Sequence, residues 1–362
     1  MKFKERLRVC YMLYPYFGSK KIDLAFVVSL LTSNTCKINL DSVSYTLELN
    51  DYQTILQLLS LKRYAISFVV DNDKVIFSFD RLNHFYISLG QLTKIDRILI
   101  SLLVQGLQEG AIFLDKDHNI PIKIDKSITI IQDSEPKMIT AEGIQFLLDT
   151  VNPGMIESYV RRMHDHYSQN LDGKVVVDIG ASMGDTPLYF ASKGATVYAI
   201  EMVKSNYDDM LKNLEINPIL ASRIKPIHAA IGKDGIIEYY SDALERIGNK
   251  GGSSFLINKY GENGKKESVR GLTISSLVKE FDIKSIELLK LDCKGCEFFL
   301  KKEDLKNVQR VKIEYYAVMK EHKLDSIIDI LKESGYDFIL FKHIPTDTTS
   351  LLKYGNILAE KS

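Results

Sequence analysis

The chain has 362 residues, which is long for one ordinary domain and allows two domains or one domain with a large extension. Lysine plus arginine and aspartate plus glutamate both number 47, so the net charge of +0 argues against a general nucleic-acid binder. Four cysteines, two of them isolated near the N-terminus, do not form a secreted disulfide framework and favour a reducing compartment.

The first part of the chain, residues 1–135, is predicted to be a separate α+β region whose role the sequence does not indicate. Two apolar runs at 66–70 and 75–79 flank a polar turn and predict a hairpin. A helix is then predicted from apolar residues at helical spacing, which are Ile95, Leu99, Leu102 and Leu103. The polar segment 132–137 contains Pro136 and is a candidate linker.

The apolar stretch 24–31 is the strongest membrane candidate in the N-terminal part of the chain. It is far shorter than the ~20 residues that a membrane span needs. It also begins too late for a signal peptide and has no small-residue cleavage site. We therefore expect a cytoplasmic protein without a membrane span.

Residues 140–362 are predicted to form a second domain, because β-rich runs alternate with helical stretches there. The predicted strands are 175–177, 196–200, 224–228, 286–291, 311–313, 338–341 and 356–359. Seven such strands suit one doubly wound, mostly parallel α/β sheet. Ligands of these sheets bind beyond the carboxyl ends of the strands, where the strand order reverses.

The first of these strands runs into a glycine-containing loop at 178–184. Gly180 and Gly184 allow a sharp turn and a close approach to a ligand. The loop lacks the third glycine of a dinucleotide fingerprint and the Gly-Lys-Ser/Thr of a P-loop, which favours a nucleoside over a pyrophosphate ligand. Thr186 is interpreted as the cap of the next helix, with Pro187 at its first position.

The second strand ends at Glu201, 21 residues after Gly180. This is close to the offset at which a carboxylate meets ribose hydroxyls in nucleotide-binding βαβ units. Met202 follows and is placed against a purine face. An ordinary βαβ unit with a solvated acidic residue is the alternative, and the offset favours the nucleoside site.

Several motifs occur in a fixed order along the second half of the chain. They are residues 176–181, Glu201 with Asn206, Leu211 and Asn213, residues 229–232 with 234–235, residues 289–297, and the shorter matches 252–254, 272–277 and 312–314. In this order they resemble the FkbM-type methyltransferases over roughly residues 150–362. The resemblance implies a Rossmann-like seven-stranded domain, S-adenosylmethionine as methyl donor, and O-methylation of a sugar or another small metabolite.

The resemblance also implies positions for the cofactor. It places the methionine part by Asp178, Gly180 and Ser182, the ribose by Glu201, the adenine by Ala230 and Ile231, and the methyl group with the acceptor by Asp292. Ala181, Gly184 and Thr186 complete the predicted cofactor site in the same loop and the helix start.

Asp292 is the first candidate for the base or for orienting the acceptor, followed by Glu314 and Glu297. Glu297 has an alternative role in complementing a helix dipole, and Glu314 an alternative role as a structural carboxylate. Two departures from the family pattern bear on this assignment. Lys294 stands where relatives commonly have an acidic residue, and Tyr315 follows Glu314 where relatives have a histidine soon after.

Three further features have both a functional and a structural interpretation. Cys293 and Cys296 form a C-x-x-C pair, for which compact packing is favoured over redox or metal chemistry, so that no metal is predicted. His164 and His166 are interpreted as a solvated helix end rather than as part of the cofactor mouth. The turn-rich run 248–254, continuing to Lys265 and Lys266, is predicted to be a mobile loop between strands. This loop either recognises the acceptor or is a connection without a role in recognition.

Two competing functions remain open. One is RNA methylation with residues 1–135 delivering the nucleic acid. Neutral charge and the lack of an Asn/Asp-Pro-Pro-aromatic tetrapeptide or a Pro-Cys pair count against it. The other is a non-catalytic nucleotide-binding module, against which Asp178, Gly180, Glu201 and Asp292 argue. The predicted partner is therefore a small-molecule or glycan acceptor, and the sequence does not indicate the oligomeric state.

Overall fold

The structure is a computed structural model. It describes residues 35–40, 43–48, 58, 67–71, 74–78, 84–88, 92–93, 96–98, 100, 104, 128–131, 137–152, 154–160, 162–242, 264–293, 295–317, 323–342 and 350–362. Two compact units divide the chain. The first is Met1–Ala141 with Val151–Ile156 and Arg246–Gly248, and the second is Glu142–Thr150, Glu157–Glu245 and Asn249–Ser362. The predicted boundary between residues 135 and 140 stays a prediction.

The described strands of the first unit pair antiparallel with their sequence neighbours. They are β1 (Thr35–Leu40) with β2 (Val43–Glu48), β3 (Ser67–Asp71) with β4 (Lys74–Ser78) and β5 (His84–Ser88), and β6 (Ile128–Ile131) with β7 (Lys137–Thr140). The pairing of β3 with β4 confirms the predicted hairpin, and β5 was not predicted. Residues 96–98, 100 and 104 are helical, whereas the four residues on which the helix prediction rests lie outside the described part of the chain. Residues 132–136 of the candidate linker also lie outside it.

The second unit contains the remaining strands and the α-helices. The strands are β8 (Gln145–Leu147), β9 (Val175–Ile179), β10 (Thr196–Glu201), β11 (Ile224–His228), β12 (Ala230–Ile231), β13 (Gly235–Asp242), β14 (Gly264–Leu272), β15 (Ile286–Leu291), β16 (Val308–Tyr316), β17 (Tyr336–Phe341) and β18 (Tyr354–Lys361). The α-helices are α1 (Asp185–Ser192), α2 (Lys204–Glu215), α3 (Pro218–Ala221), α4 (Ile274–Glu280) and α5 (Leu324–Glu333). A π-helix spans Ile156–Val160, and 3-10 helices span Cys296–Phe299 and Lys302–Leu305. None of the described helices has the length and apolar character required to cross a membrane.

Seven strands form the main sheet in the order β11-β10-β9-β15-β16-β18-β17, and all seven predicted strands are among them. The first five run parallel, and β18 is antiparallel to both of its neighbours. The chain builds outward from β9 through β10 to β11 and later continues from β15 to β16 on the other side. The strand order therefore reverses between β9 and β15, which is where a ligand site is expected.

Nearly continuous apolar runs explain the central position of β9 and β15. Val176 and Val177 in β9, like Leu288 and Leu289 in β15, have no exposed surface. Strands that are covered by helices on both faces bury residues of both parities, so they lack the alternation of a half-exposed strand. The polar groups that do occur in these strands must therefore find partners inside the protein.

A smaller sheet has the strand order β12-β14-β13. In the sequence its three strands lie between β11 and β15 of the main sheet. Lys265 and Lys266 lie in β14, paired with Ser241 and Tyr240 of β13. Their assignment to a mobile loop was wrong, because the antiparallel partner strand extends this ladder up to Gly264. The turn-rich run 248–254 lies outside the described residues.

Two asparagines hold β8 in place, Asn213 from helix α2 and Asn217 from the position before α3. Asn213 Oδ1 accepts a hydrogen bond from Leu147 N (3.1 Å), and its Nδ2 donates to Met183 O (2.9 Å) in the glycine loop. Asn217 accepts from Gln145 N (3.0 Å) and donates to Gln145 O (2.7 Å). The two side chains satisfy backbone groups that would otherwise be buried without partners.

We expect Asn213→Ala to lower the free energy of unfolding by about 2 kcal/mol, because it leaves buried backbone groups unpaired. Urea denaturation followed by circular dichroism measures this change. Glu215→Ala, an exposed position on the same helix, is the matched control and should change stability by less than about 0.5 kcal/mol. Equal effects of the two substitutions would contradict the assigned role of Asn213.

Candidate active site

The glycine loop after β9 is held against both neighbouring strands. Gly180 N and Ala181 N both donate to Ile200 O of β10, at 2.9 and 3.0 Å. Gly180 has φ +85°, and a Cβ there would lie 1.9 Å from Asp292 O. Only glycine fits this close approach, because the obstacle is backbone that cannot move aside.

The helix that follows begins two residues earlier than the sequence suggested. Gly184, with φ +93°, is the residue before α1, and Thr186 lies within the first turn. The prediction that Thr186 caps the helix was wrong. Its Oγ1 instead donates to Asp178 Oδ2 at 2.5 Å, so the hydroxyl serves the buried carboxylate of β9.

Glu201 closes the loop from the end of β10. Its Oε2 accepts from Ser182 N and its Oε1 from Val203 N, both at 2.8 Å. Burial raises the pKa of this carboxyl from 4.5 to about 7, against the opposing effect of the hydrogen bonds from Val203, Ser182 and Asn206. The side chain is therefore held in place beside the glycine loop, and its role in binding ribose stays a prediction.

Lys290 is the central charged group of the site. Its Nζ lies 2.8 Å from Asp178 Oδ1, 3.4 Å from Gly180 O and 3.9 Å from Asp292 Oδ2. Burial by itself lowers the pKa of this ammonium, but the charges of Asp178 and Asp292 outweigh it and the pKa is raised. Lys290 is thus a buried cation that joins β9, β15 and the glycine loop.

Asp292 follows β15 directly at the point where the strand order reverses. Its backbone N donates to Ile179 O (2.9 Å), which continues the pairing of β15 with β9 past the end of both strands. Its side chain is 29% exposed, whereas that of Asp178 is fully buried. Of these two carboxylates, Asp292 is the one that a second substrate can reach.

The residues predicted at the adenine side lie in two different packing clusters. Ala230 is buried with Val203, Ile237, Tyr239 and Val269, and Met202 packs against this group. Ile231 is buried in the main core instead. Met202 and Ala230 therefore belong to the same apolar cluster. Ile231, the neighbouring residue of β12, packs into the main core.

The two remaining candidate carboxylates differ in their surroundings. Glu297 has no exposed surface, and its oxygens accept from Gly295 N (2.6 Å) and Tyr316 N (3.3 Å). Glu314 is half-buried, and Tyr354 Oη donates to its Oε1 at 3.4 Å. Glu297 thus joins the ends of β15 and β16, and Glu314 retains access to the carboxyl edge of the sheet.

His164 and His166 precede β9 in a turn, and of the two only His166 is exposed to solvent, as predicted. His164 is 5% exposed, and its Nε2 lies 3.1 Å from Ser158 Oγ, which also donates to Asp185 Oδ2 at 2.8 Å. Its Nδ1 contacts the hydroxyl of Tyr167. The prediction was wrong for His164 because these neighbours satisfy both ring nitrogens inside the protein.

His166 is exposed, and its ring packs edge-on against Tyr167 and Phe341. Burial lowers the pKa of His166, as does the nearby charge of Lys312. The imidazole is therefore less readily protonated than a free one.

Cys293 and Cys296 form a disulfide in the loop after β15. The interpretation of both residues as compact packing groups holds for Cys296, which is 2% exposed, but misses the bond between them. Lys294, between them, lies outside the described residues.

The sequence contained signals for two residues that the predictions left without a role. Lys290 and Lys312 each interrupt an apolar strand, and both are 2% exposed or less. A lysine inside a continuous apolar run is seldom buried unless it is paired, so it indicates a buried carboxylate nearby. Asn356 of β18 is also buried, and its amide has no hydrogen-bond partner among the described residues.

A glycine loop, a carboxylate at the end of the second strand and an aspartate at the reversal point are typical of a methyltransferase. Residues 178–338 match the family model of the Methyltransferase FkbM domain. The chain carries this domain and is a methyltransferase, as the sequence motifs predicted. No curated protein sequence matches the chain.

Solved structures resemble the chain at low sequence identity. The METTL16 MTase domain is 14% identical, covers 72% of this chain and 92% of its own, and has a TM-score of 0.36. Magnesium protoporphyrin IX methyltransferase from Synechocystis PCC 6803, solved with bound SAM, is 14% identical over 58% of this chain and 81% of its own, with a TM-score of 0.32. Precorrin-6y C5,15-methyltransferase from Geobacter metallireducens GS-15 is 13% identical over 56% and 88%, also with a TM-score of 0.32.

We expect Lys290→Met to lower the free energy of unfolding by about 3–5 kcal/mol, because it leaves the Asp178 carboxylate buried without its cation. The double variant Asp178→Asn/Lys290→Met removes both charges and should recover most of this loss. Denaturant titration of the two variants measures the difference. A single variant that loses less than about 1 kcal/mol would show that the ion pair is not holding the site together.

Glu201 gives the ligand-free protein a specific pH dependence. Because its folded pKa of about 7 lies above the ordinary value of 4.5, the protonated carboxyl favours folding below pH 4.5, and this contribution is lost as pH rises through 7. Relative to wild type, Glu201→Gln should therefore gain about 3 kcal/mol of unfolding free energy between pH 4.5 and pH 8. Denaturant titrations at both pH values, with exposed Glu215→Gln as control, measure this gain. A pH-independent difference would refute the raised pKa.

Proposed function

We propose that this domain binds S-adenosylmethionine at the carboxyl edge of β9, β10 and β15, and transfers its methyl group to a hydroxyl of a sugar or another small metabolite. The observation that carries the proposal is Glu201, whose carboxylate closes the glycine loop from the end of β10. The strand order with a single antiparallel strand, β18, supports a Rossmann-like methyltransferase fold.

The described residues suit the shape of this cofactor. The absence of a side chain at Gly180 leaves backbone at the closest point between β9 and β15, which lets the methionine part lie near Asp178 and Ser182. Ala181, Gly184 and Thr186 fix the loop beneath it. Both oxygens of Glu201 can still accept a further hydrogen bond, because a carboxylate offers about four lone-pair positions. They can therefore bind the two ribose hydroxyls.

The adenine is proposed to lie by Met202 and Ala230, which belong to one apolar cluster at the start of β12. Ile231, the next residue of β12, packs in the main core and so holds this strand in place. A polarisable thioether beside an apolar wall suits the face of a purine ring.

The charges of the site suit a cationic donor. The Lys290 ammonium interacts electrostatically with Asp178, Asp292 and Asp185, and also with Glu201. Four carboxyl groups around one buried ammonium leave the site short of positive charge. Bound S-adenosylmethionine supplies an electrophilic methyl group on a positively charged sulfonium.

Asp292 is proposed to receive the acceptor. Its carboxylate is partly exposed at the reversal point and is oriented by Lys290 and by its own backbone bond to Ile179. There it can accept a hydrogen bond from the acceptor hydroxyl and take the proton as the oxygen attacks. Much of the rate gain in such a transfer comes from holding the reacting groups in line, which the rigid strand end favours.

Glu314 is proposed to bind a further hydroxyl of the acceptor, since it is half-buried at the same edge. Glu297 is proposed to position the loop that carries Asp292, because its carboxylate is already bonded to Gly295 N and Tyr316 N. Exposed carboxylates with deeply buried lysines offer poor contacts to phosphates, on which nucleic-acid affinity largely depends. This charge pattern favours a neutral, polyhydroxylated acceptor over RNA.

The binding step is tested by calorimetric titration with S-adenosylmethionine and S-adenosylhomocysteine. We expect saturable micromolar binding by wild type and at least tenfold weaker binding by Glu201→Ala and Asp178→Asn, with Glu215→Gln unchanged. The asparagine variant keeps the size of Asp178 and so limits damage to the fold. No binding by folded wild type would contradict the proposal and favour a non-catalytic module.

The transfer step is tested with tritiated methyl donor and a panel of sugars and polyols, with short RNA as a separate arm. We expect Asp292→Asn to retain S-adenosylhomocysteine affinity within about threefold and to lose at least about a hundredfold in turnover, the usual range for a general base. Labelled RNA with unlabelled sugars would overturn the acceptor assignment. Turnover by Asp292→Asn equal to wild type would overturn the role of Asp292.

A further inference from the structure

The loop from Asp292 to Glu297 links the cofactor edge to the end of β16. At one end Asp292 O lies so near Gly180 that a Cβ on this glycine would be 1.9 Å from it. At the other end Glu297 Oε1 accepts from Tyr316 N at 3.3 Å. Any change in the conformation of this loop is therefore passed to the backbone that shapes the proposed cofactor site.

The disulfide between Cys293 and Cys296 lies inside this loop, with its Cα atoms 5.5 Å apart. A disulfide that encloses only two intervening residues restricts the unfolded chain little, since such stabilisation grows with the length of the closed loop. Its main effect is thus local. It fixes the turn that begins directly after Asp292.

We infer that Cys293 and Cys296 form a redox modification site whose reduction weakens binding of the methyl donor. This inference rests on the proposed function of the adjacent site. The reductant is an external dithiol of the kind that cellular disulfide reductases present.

The accessibility of the two sulfurs sets the direction of attack. Cys293 is partly exposed and Cys296 is 2% exposed, so a thiolate of the dithiol reaches Cys293 Sγ and Cys296 departs as a thiolate. The second thiol of the reductant then cleaves the mixed disulfide. In total the protein gains two electrons and two protons and carries two S–H groups, and the dithiol leaves as its own disulfide.

The new thiol at Cys293 competes for a hydrogen-bond acceptor already in use. Cys293 Sγ lies 3.9 Å from Glu297 Oε2, the atom that accepts from Gly295 N at 2.6 Å. After reduction the S–H can donate to the same oxygen, and the covalent tie across Gly295 is gone. Both changes release the turn next to Asp292 and loosen its contact with Gly180.

The experiment uses full-length Cys10→Ser/Cys36→Ser protein, in which every remaining thiol belongs to the pair. One sample is oxidised and freed of reagent, and another is kept in tris(2-carboxyethyl)phosphine, both with EDTA to exclude metal from the thiols. Alkylation with iodoacetamide and mass spectrometry counts the thiols. Calorimetric titration with S-adenosylhomocysteine gives the affinity of each sample.

We expect no alkylation of the pair before reduction, two alkylated cysteines after it, and at least threefold weaker S-adenosylhomocysteine binding by the reduced protein. Reoxidation should restore the affinity. Two free thiols in the oxidised sample, or a change in affinity below threefold, would overturn the inference while leaving the cofactor assignment intact. Absence of binding in both samples would remove the proposed function, and the coupling with it.

Cys293→Ala/Cys296→Ala in the same background is the matched control. Its affinity should not respond to the reductant, and it should be weaker than that of the oxidised parent. A reductant effect that persists in this variant would place the effect elsewhere and contradict the inference. If this variant does not fold, the comparison of the oxidised and reduced parent still decides the result.

Discussion

The buried ion pair between Lys290 and Asp178 is the interaction on which the site depends. A lysine and an aspartate near the carboxyl ends of two apolar strands are costly to bury, and each is tolerated because the other is there. The pair holds β9 and β15 in register at the reversal of the strand order, and its geometry extends to the loop carbonyl of Gly180 and to Asp292. The ammonium thus fixes both the floor of the proposed cofactor site and the Asp292 side chain that is proposed to face the acceptor.

The fold could be predicted from the sequence to a large extent because each strand of the main sheet is a short run of apolar residues. Residues such as Val176 and Leu289 occur in segments too short for helices and bounded by glycine or polar residues, and these segments became the seven strands of the main sheet. What the sequence did not indicate was the length of β14, whose lysines suggested a loop. There the neighbouring strand β13 supplies a ladder that local composition does not encode.

The location of a side chain in the fold was predictable where the residue ends or directly follows a strand, as Glu201 and Asp292 do, because position along the chain then fixes position in space. The roles of these two residues stay predictions. It was less predictable where side chains meet across the fold. Thr186 was expected to cap its helix, yet a carboxylate eight residues away in β9 is a stronger acceptor for its hydroxyl. His164 similarly found its partners in Ser158 and Tyr167, which no spacing rule brings together.

The antiparallel insertion of β18 between β16 and β17 has a consequence for synthesis on the ribosome. In the main sheet β17 pairs with β18, which leaves the ribosome after it, so β17 cannot join the sheet when it first emerges. The strands β9 and β10, which carry Asp178 and Glu201, have by then been available for more than a hundred residues of translation. The half of the sheet that carries the glycine loop can therefore assemble early, while β16 keeps an open edge that only the final strand closes.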